Sequence, residues 1–440
     1  MAKDIDVPVE ERLIRLLQHL GIDHAHFAAG NLDDLTNLAA KHPELFCSLT
    51  LVAPWTPDQA AITSLSSRLL VFRPDAPWYD ELGELVKGLP GAILETLPAW
   101  DTWADVITRY EDEIRSSLPP FLAMHSTEDM PDANLQDGSQ GAVAGITYHV
   151  QGSGPPLILM PLGLVPSQWD AIMPVLTSNY CTITLGGGKL GMAYLLEKRA
   201  TSAGYLGMAR MLTQEMELQP GDSVLEVGSG TGALTRWLYR FTNGKNPITG
   251  VDINQFMMKA ASDITRVEGL DGSVALEVGN AEDLPYSDNQ FDVTFSVTVM
   301  EEVDADKMLA EMIRVTKPGG RVGVIVRATD LPFFINLPMS DGLKEKAEMA
   351  AHGGDGGEKG CADASLYHRF QMTSLTNIKM FPHLAAFVRP WALAFFDGSV
   401  IPALNEAESV EWRAARTEAE AAGTFFFSYP HHCAVGTKPW

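Results

Sequence analysis

The hydrophobic and polar positions of the first 120 residues follow two alternating patterns. Apolar side chains at helical spacing predict an amphipathic helix over residues 8–20, with Leu13, Leu16, Leu17 and Leu20 on one face. Continuous apolar runs predict strands covered on both faces, at residues 24–29, 47–53, 68–73 and 91–97. Further helices are predicted at 32–42, 79–88 and 101–117. This alternation of strand and helix predicts a parallel α/β layer.

The pattern changes after this layer. Residues 126–141 (STEDMPDANLQDGSQG) are acidic and polar and contain glycine, which predicts a linker or a long surface loop. Strands are predicted again at 143–150, 156–161 and 180–185, with a helix at 167–177. Because GGGK at 186–189 then interrupts the chain, we predict one domain over residues 1–188 and a second over residues 189–440.

Composition narrows the class of protein. The 440 residues carry a formal net charge of −24, which excludes a nucleic-acid binder because phosphate contacts need a basic surface. The four cysteines lack Cys-x-x-Cys spacing, so we expect reduced thiols and no metal site. The N-terminal residues lack the apolar stretch of a signal peptide, and no apolar run reaches the length of a membrane span. We therefore expect a soluble, cytoplasmic protein without membrane partners.

The clearest motif is SVLEVGSGTG at residues 223–232. An apolar strand runs into a turn whose glycines can adopt positive φ and allow a ligand close to the backbone, and a helix is predicted to follow. Such a turn alone also fits dinucleotide-binding proteins. The next strand ends at Asp252, about twenty residues past the turn, where a carboxylate can bond ribose hydroxyls in either class.

Two later segments distinguish these classes. GNAEDLP at 279–285 precedes an apolar strand at 291–297, and RVTKPGGRVGVIV at 314–326 contains a turn and another buried strand. This order resembles class I S-adenosylmethionine-dependent methyltransferases, particularly the small-molecule branch that includes the ubiquinone and menaquinone C-methyltransferases. The resemblance covers residues 205–330. It implies a Rossmann-like fold, S-adenosylmethionine as the cofactor and a small-molecule substrate.

The resemblance also implies roles for individual residues. The amino-acid part of the cofactor is held by one carboxylate and the turn, namely Glu226, Gly228, Ser229, Gly230 and Gly232. Asp252 takes the ribose hydroxyls with Ile253 against the adenine, Ala281 and Glu282 contact the adenine edge, and Ser296 lies beside the methionine moiety. The preceding helix, residues 193–212, closes over the cofactor in such enzymes. Tyr194, Arg199 and Tyr205 are candidates on this helix, with packing as the alternative role.

Methyl transfer from the cofactor needs few catalytic side chains. The sulfonium methyl is already activated, so transfer depends mostly on proximity and orientation, although oxygen and carbon acceptors usually need a base. The candidate bases are Glu301, Tyr367, His368, His431 and His432. Neighbouring histidines on a strand point to opposite faces, so at most one of His431 and His432 faces the site. Both lack the spaced partners of a metal site.

One of these candidates departs from the family pattern. The family often has a Glu-His pair after the fourth strand, but this chain has Glu301-Glu302. The role of the missing histidine therefore does not carry over. Glu301 is a candidate for orienting a cationic or hydroxylated substrate, and the alternative is an acidic helix start.

Residues 328–423 form a long segment between predicted core strands. Its aromatic and aliphatic stretches, LPFFINLPM and FPHLAAFVRPWALAFF, suggest a cap over the substrate pocket and an apolar, ring-containing substrate. Plain core or a homodimer interface is the alternative. The Gly-rich stretch at 352–360 is a candidate mobile lid.

The first domain carries a second resemblance. Residues 11–117 resemble the later part of an α/β-hydrolase, and residues 143–187 resemble its beginning. The halves thus stand in reversed order, as in a circular permutant that completes one eight-stranded sheet without the helical cap domain. Remnants of two hydrolase copies, or pairing between the chains of a dimer, are the alternatives.

The hydrolase-like domain lacks most of a catalytic triad. HAHFAAGNLD at 24–33 has the layout of a nucleophile elbow, but Asn31 occupies the serine position. Asp75 is a candidate acid, whereas AWDTW at 99–103 stands where a histidine is expected. Since catalysis needs all three groups together, we predict a scaffold, a dimerisation surface or a pocket that binds a ligand near Asn31.

The leading hypothesis is therefore a methyltransferase that acts on a small molecule at oxygen, nitrogen, carbon or sulfur, preceded by an inactive hydrolase-like domain. One alternative is a regulatory protein that binds S-adenosylmethionine. Another is an enzyme of the same fold with a non-methylating reaction, such as a cyclisation.

Overall fold

The computed structural model describes residues 7–30, 35–54, 59–76, 79–98, 106–126, 132–187, 190–351, 359–388, 400–401 and 403–440. The chain divides into two compact units, unit 1 over residues 1–195 and unit 2 over residues 196–440. Each unit contains an eight-stranded sheet. Within the described ranges, no helix has the length and apolar character that a membrane span requires.

Unit 1 alternates strands and helices through its first half. Its strands are β1 (Ala25–Ala29), β2 (Phe46–Val52), β3 (Leu69–Pro74), β4 (Ile93–Leu97), β5 (Gln140–Val143), β6 (Ile146–Gln151), β7 (Pro156–Leu159) and β8 (Cys181–Gly187). Its helices are α1 (Val9–Leu20), α2 (Thr36–Lys41), α3 (Gln59–Ser64), α4 (Asp80–Lys87), α5 (Val106–Arg109), α6 (Glu111–Met124) and α7 (Met173–Leu176).

The strands of unit 1 form one sheet in the order β4-β3-β2-β1-β7-β8-β6-β5. The six strands from β4 to β8 are parallel, whereas β6 runs antiparallel to both β8 and β5. The segment 25–97 and the segment 140–187 therefore meet where β1 pairs with β7. Every residue of β1 is buried, as expected for a strand covered on both faces.

Two predictions for unit 1 differ from the structure. The strand predicted at 143–150 is a hairpin of β5 and β6, because Ala144 and Gly145 both have positive φ and such residues favour a two-residue turn. The helix predicted at 167–177 is a 3-10 turn at Pro166–Trp169 followed by the short α7. The elbow residues Asn31 to Asp34 and the AWDTW stretch at 99–103 lie outside the described residues.

Unit 2 contains the second sheet and its helices. Its strands are β9 (Val224–Val227), β10 (Ile248–Asp252), β11 (Ala275–Val278), β12 (Phe291–Val297), β13 (Thr316–Arg327), β14 (Phe334–Asn336), β15 (Thr376–Phe387) and β16 (Phe426–Thr437). Its helices are α9 (Ala203–Glu215), α10 (Ala233–Phe241), α11 (Gln255–Val267), α12 (Ala305–Val315), α13 (Asp341–Ala351), α14 (Ser365–Gln371) and α15 (Glu406–Ala422). The division between the units falls within α8 (Met192–Arg199).

The sheet of unit 2 runs in the order β11-β10-β9-β12-β13-β16, and β14 and β15 also pair with β16. The strands from β11 to β13 are parallel, and β16 is antiparallel to its three neighbours. The carboxyl ends of β9, β10, β12 and β13 consequently lie at one edge. In an open α/β sheet this edge is where ligands bind.

Two predictions for unit 2 were wrong. The helix predicted over 193–212 is interrupted: α8 ends at Arg199, and Ser202 caps α9 by accepting a hydrogen bond from the Tyr205 amide. Residues 328–423 are also not one insertion, because β15 belongs to the sheet. The predicted lid at 352–360 stays a prediction, since residues 352–358 lie outside the described residues.

Candidate functional site

The glycine-rich turn follows β9 at the carboxyl edge of the sheet. Gly228, Gly230 and Gly232 have φ values of 75°, 54° and 70°, a region in which side chains are strained. A Cβ on Gly228 would also collide with the side chain of Val299. Both conditions require glycine at position 228. The turn is anchored by the amides of Gly228 and Ser229, which donate to the Val251 carbonyl at 2.8 and 3.0 Å.

Asp252 connects the end of β10 to this turn. Its Oδ2 accepts a hydrogen bond from the Gly230 amide at 2.8 Å, and its Oδ1 accepts one from the Asn254 amide at 2.9 Å. Burial raises the pKa of Asp252, and these two amides oppose the rise. A carboxylate has about four acceptor positions, so two remain for ribose hydroxyls. The neighbouring Ile253 side chain is 66% exposed and offers an apolar surface for an adenine ring.

Glu226 lies buried on β9 directly below the turn. Its Oε2 accepts a hydrogen bond from the Thr235 hydroxyl at 2.5 Å. Burial raises the pKa of Glu226 to about 8, and Asp252 adds to the rise while Thr235 and Arg236 oppose it. At neutral pH the carboxyl group is therefore mostly protonated, and a cationic ligand beside it favours the ionised form.

Two of the predicted cofactor contacts, Ser296 and Glu282, form hydrogen bonds within the protein. The Ser296 hydroxyl donates to the Val227 carbonyl at 2.8 Å, so it supports the turn from below instead of facing a ligand. The Glu282 carboxylate accepts from the Asp304 amide at 2.9 Å and from Lys307 at 3.4 Å. The Glu282 side chain therefore caps the start of α12, and its place at the adenine edge stays a prediction. Ala281 is buried in the core beneath that loop.

Two buried polar atoms near the turn lack a hydrogen-bond partner among the described residues, namely Arg199 Nε and Glu301 Oε2. The Arg199 guanidinium stands 4.6 Å from the centre of the Tyr205 ring, and burial with Glu226 nearby raises the pKa of Tyr205. Buried polar groups are normally paired, so both atoms indicate a place for a ligand. The carboxylate and hydroxyls of S-adenosylmethionine fit Arg199 and Asp252 in charge and hydrogen bonding.

Glu301 lies on the loop after β12 with its side chain fully buried. Its Oε1 accepts from the Arg327 amide at 2.7 Å and from Arg327 Nε at 3.4 Å, which leaves Oε2 available. Burial raises the pKa of Glu301, and Arg327 opposes the rise. The neighbouring Glu302 is exposed and binds the other end of the same guanidinium at 2.7 Å.

His431 is placed next to Arg327 by strand pairing. Arg327 on β13 and His383 on β15 are its cross-strand partners, and such partners share a face of the sheet. His431 Nδ1 lies 3.2 Å from the Tyr429 carbonyl. Because a carbonyl only accepts, Nδ1 carries the proton and Nε2 is the acceptor. Burial, with Arg199 adding to it, lowers the pKa of His431 to about 3, so the ring is neutral.

The other predicted bases lie on the opposite face. The Tyr367 hydroxyl is 2.8 Å from His432 Nδ1, and His432 Nε2 is 2.7 Å from Asp330. Burial raises the pKa of Tyr367 to about 12, which leaves it a poor base. His368 is exposed on α14, beside α12. The structure therefore brings Glu301 and His431 together and separates Tyr367 and His368 from them.

Sequence reasoning missed Arg327 and Arg236. Arg327 is the last residue of an apolar strand, and this position was visible in the sequence. Its bond to Glu301 depends on how the end of β13 meets the loop after β12. Arg236 is 1% exposed although it lies in a helix with one polar face. The described ranges contain no group of three or more His, Cys, Asp or Glu side chains suited to a metal ion.

Comparison with known proteins adds the family of this region. Residues 225–324 match the family model of the methyltransferase domain. These residues are a methyltransferase domain. S-adenosylmethionine is the cofactor of this domain, as the sequence predicted. The match lies within the range for which the sequence resemblance was stated and includes the glycine turn, Asp252 and Glu301.

The curated relatives of this region are methyltransferases. The chain is 41% identical over 108 residues to the ubiquinone/menaquinone biosynthesis C-methyltransferase UbiE of Vibrio cholerae serotype O1, covering 24% of this chain and 42% of that protein. It is 33% identical over 126 residues to the methyltransferase GfsG of Streptomyces halstedii, covering 28% of this chain and 45% of that protein. The chain thus spans less than half the length of the curated relatives it matches.

One solved structure of similar fold was determined with a product-like ligand. It is the geranyl diphosphate C-methyltransferase from Streptomyces coelicolor A3(2), in complex with S-adenosyl-L-homocysteine. It shares 17% sequence identity and has a TM-score of 0.34, with 55% of this chain and 80% of that chain covered.

Proposed function

We propose that the protein transfers the methyl group of S-adenosylmethionine to a small-molecule acceptor. One observation carries the proposal: the glycine turn and Asp252 share an edge of the sheet with a fully buried carboxylate, Glu301, whose Oε2 has no partner among the described residues. Keeping such an atom costs stability. It is explained when a ligand that donates a hydrogen bond occupies the edge.

Different residues of the site bind the cofactor and the acceptor. The bound cofactor supplies an activated methyl group. Arg199 attracts the cofactor's carboxylate, and Asp252 and Glu226 favour its hydroxyls and its positive charge. Glu301 Oε2 receives a hydrogen bond from the acceptor and orients it, while Arg327 fixes Glu301 through two bonds. His431, whose ring is neutral because burial lowers its pKa to about 3, accepts a hydrogen bond from the acceptor at Nε2 and helps to orient it; so low a pKa makes it a weak base.

We further propose that unit 1 is an inactive, permuted α/β-hydrolase-like scaffold. The support is its topology: counted from residue 140 and continued from residue 25, its strands lie in the order 1-2-4-3-5-6-7-8, with only the second antiparallel to its neighbours. One eight-stranded sheet built from both segments is what the resemblance implies. Asp75 is exposed, and a dimerisation role for unit 1 stays a prediction that sedimentation velocity checks.

The proposed activity is tested with the full chain. Calorimetric titration with S-adenosylmethionine measures cofactor binding, and incubation with tritium-labelled cofactor and fractionated metabolites measures methyl transfer. We expect binding, release of S-adenosylhomocysteine and label in one acceptor fraction. Asp252→Ala weakens binding because hydrogen bonds to charged groups contribute about 1.5–3 kcal/mol each. Tight binding without labelled product across all fractions contradicts methyl transfer and favours a regulatory or cyclising protein.

A further inference from the structure

We propose that Glu197 and Arg236 form a latch, which holds residues 196–202 over the glycine turn and thereby sets the rate at which S-adenosylmethionine enters and leaves. The inference rests on the proposed cofactor site and adds positioning residues to it. The segment 196–202, called the cover here, consists of the end of α8 and the three residues that connect it to α9.

One buried guanidinium joins three elements of unit 2. Arg236 Nη2 donates to both carboxylate oxygens of Glu197 at 2.8 Å, and Nη1 donates to the Thr231 carbonyl of the glycine turn at 2.6 Å. Its Nε donates to Glu268, just after α11, at 2.9 Å. Arg236 is therefore the point at which the cover is fastened to the turn.

The cover lies on the surface that the cofactor needs. The Leu196 methyl group is 3.5 Å from where a Cβ on Gly230 would stand, so this side chain covers the exposed backbone of the turn. Three residues later, Arg199 presents its unpartnered Nε. A ligand that lies against the backbone of the turn at Gly230 therefore contacts Leu196, and Leu196 and Arg199 lie on the same cover beside it.

Apolar packing holds α8 less firmly than α9. No residue of α8 is fully buried, whereas α9 has five buried residues including Tyr205 and Met208. The chain also leaves helical geometry between Arg199 and Ser202, which provides a hinge. Hydrogen bonds between a guanidinium and a carboxylate are charge-assisted and therefore among the strong ones. The pair Glu197–Arg236 is thus a strong polar attachment of the cover to the turn.

This arrangement predicts a kinetic signature. Weakening the latch favours the open cover, in which the cofactor can both enter and leave. Association and dissociation rates therefore rise together, and the dissociation constant changes less than either rate. Loss of a direct cofactor contact gives the opposite signature, because only the dissociation rate rises.

The test compares two isosteric variants of the full chain. Glu197→Gln removes the charge of the latch, and Glu268→Gln removes another carboxylate from the same guanidinium away from the cover. Stopped-flow measurements with S-adenosylmethionine are expected to show both rates raised about tenfold or more in Glu197→Gln, with the dissociation constant within about threefold. Glu268→Gln is expected to exchange cofactor at wild-type rates.

Amide hydrogen exchange supplies a second measurement. Exchange at residues 196–202 is expected to be faster in Glu197→Gln than in the wild type or Glu268→Gln. Unchanged rates of cofactor exchange in Glu197→Gln, a rise in the dissociation rate alone, or equal effects of both variants overturn the latch. Failure of the wild-type chain to bind S-adenosylmethionine overturns the proposed function instead.

Discussion

Unit 1 and unit 2 each bury polar side chains in an eight-stranded sheet, but they bury different kinds. In the described part of unit 1 the buried polar and charged residues include Arg12, His26 and Arg73 and no carboxylate. Unit 2 buries Glu226 and Glu301 at the carboxyl edge of its strands, and burial raises the pKa of both. Buried carboxylates with shifted pKa values mark functional sites more often than structural ones.

The hydrogen bonding of individual buried groups adds to this comparison. In unit 1, His26 is buried with Nδ1 2.8 Å from the Ser48 hydroxyl and Nε2 3.0 Å from the Ser126 hydroxyl, so both ring nitrogens are paired. In unit 2, Glu301 keeps one buried oxygen without a protein partner. The described part of unit 1 also contains buried polar atoms without a partner, such as Thr50 Oγ1 and Ser167 Oγ, so an unpaired atom alone does not identify a site. What distinguishes Glu301 is that its unpaired atom belongs to a buried carboxylate at the carboxyl edge of a sheet, where ligands bind in open α/β sheets.

The largest effect is expected from a glycine-to-alanine substitution, made once in each unit. Gly228→Ala places a Cβ against Val299 at positive φ and should weaken cofactor binding more than about a hundredfold, about 3 kcal/mol. Gly30→Ala meets the Leu162 backbone and should destabilise unit 1 by about 1–3 kcal/mol without changing cofactor affinity. Calorimetry and thermal unfolding of both variants check this, and normal cofactor binding by Gly228→Ala would contradict it.

Glu301→Gln tests the unpaired oxygen. We expect kcat to fall about a hundredfold, the cost of misplacing a reacting group by about 1 Å, with cofactor affinity unchanged. Glu302→Gln is the matched control, because Glu302 binds the same Arg327 from an exposed position. Equal loss of activity in both variants would show that Arg327 matters and the buried oxygen does not.

The pH dependence of cofactor binding tests Glu226. The free protein holds this proton up to a pKa of about 8, and the cationic cofactor favours the ionised form. Affinity should therefore rise with pH, by up to about tenfold per unit between about pH 6 and 8, and Glu226→Gln should abolish the rise. Stability of the free chain should fall as pH rises from the ordinary value of 4.5 towards 8, because only the folded state keeps the proton.

The smallest effect is expected on the opposite face of β16. Tyr367→Phe removes one hydrogen bond to His432 and should lower the free energy of unfolding by about 1 kcal/mol with turnover within about threefold. His431→Gln should reduce kcat far more, since it removes the acceptor nitrogen. Urea unfolding and initial rates measure the two effects, and a loss of turnover in Tyr367→Phe would return that residue to the list of bases.

The sequence predicted those parts of the fold that depend on local pattern. Continuous apolar runs indicated β1 to β4, and the glycine spacing indicated the turn after β9 and the methyltransferase domain. The sequence did not predict the features that depend on tertiary contacts. Ser202 starts α9 three residues after α8 ends, through a single cap, and β15 looked like part of an insertion because its aromatic and aliphatic stretch also fits a cap over a pocket.

The same limit applies to the candidate site. Strand alternation predicted that His431 and His432 point to opposite faces, but choosing between them required the pairing of β16 with β13 and β15. Glu282 and Ser296 sat at the right places in their motifs, yet their side chains bond to Asp304 and Val227. The sequence around Arg236 did not indicate its role, because its partners are distant in the chain. Glu197 lies on α8, and Glu268 lies just after α11.

The position of β1 has a consequence for synthesis of the chain. β1 lies between β2 and β7 in the finished sheet, but β7 leaves the ribosome more than a hundred residues later. At about 5–20 residues per second, this interval is on the order of ten seconds. During it, one edge of a strand that is buried in the finished domain has no neighbour, and such an edge can pair with other chains. The hairpin of β5 and β6 and the two strands after it therefore complete the nascent domain and end its exposure to aggregation.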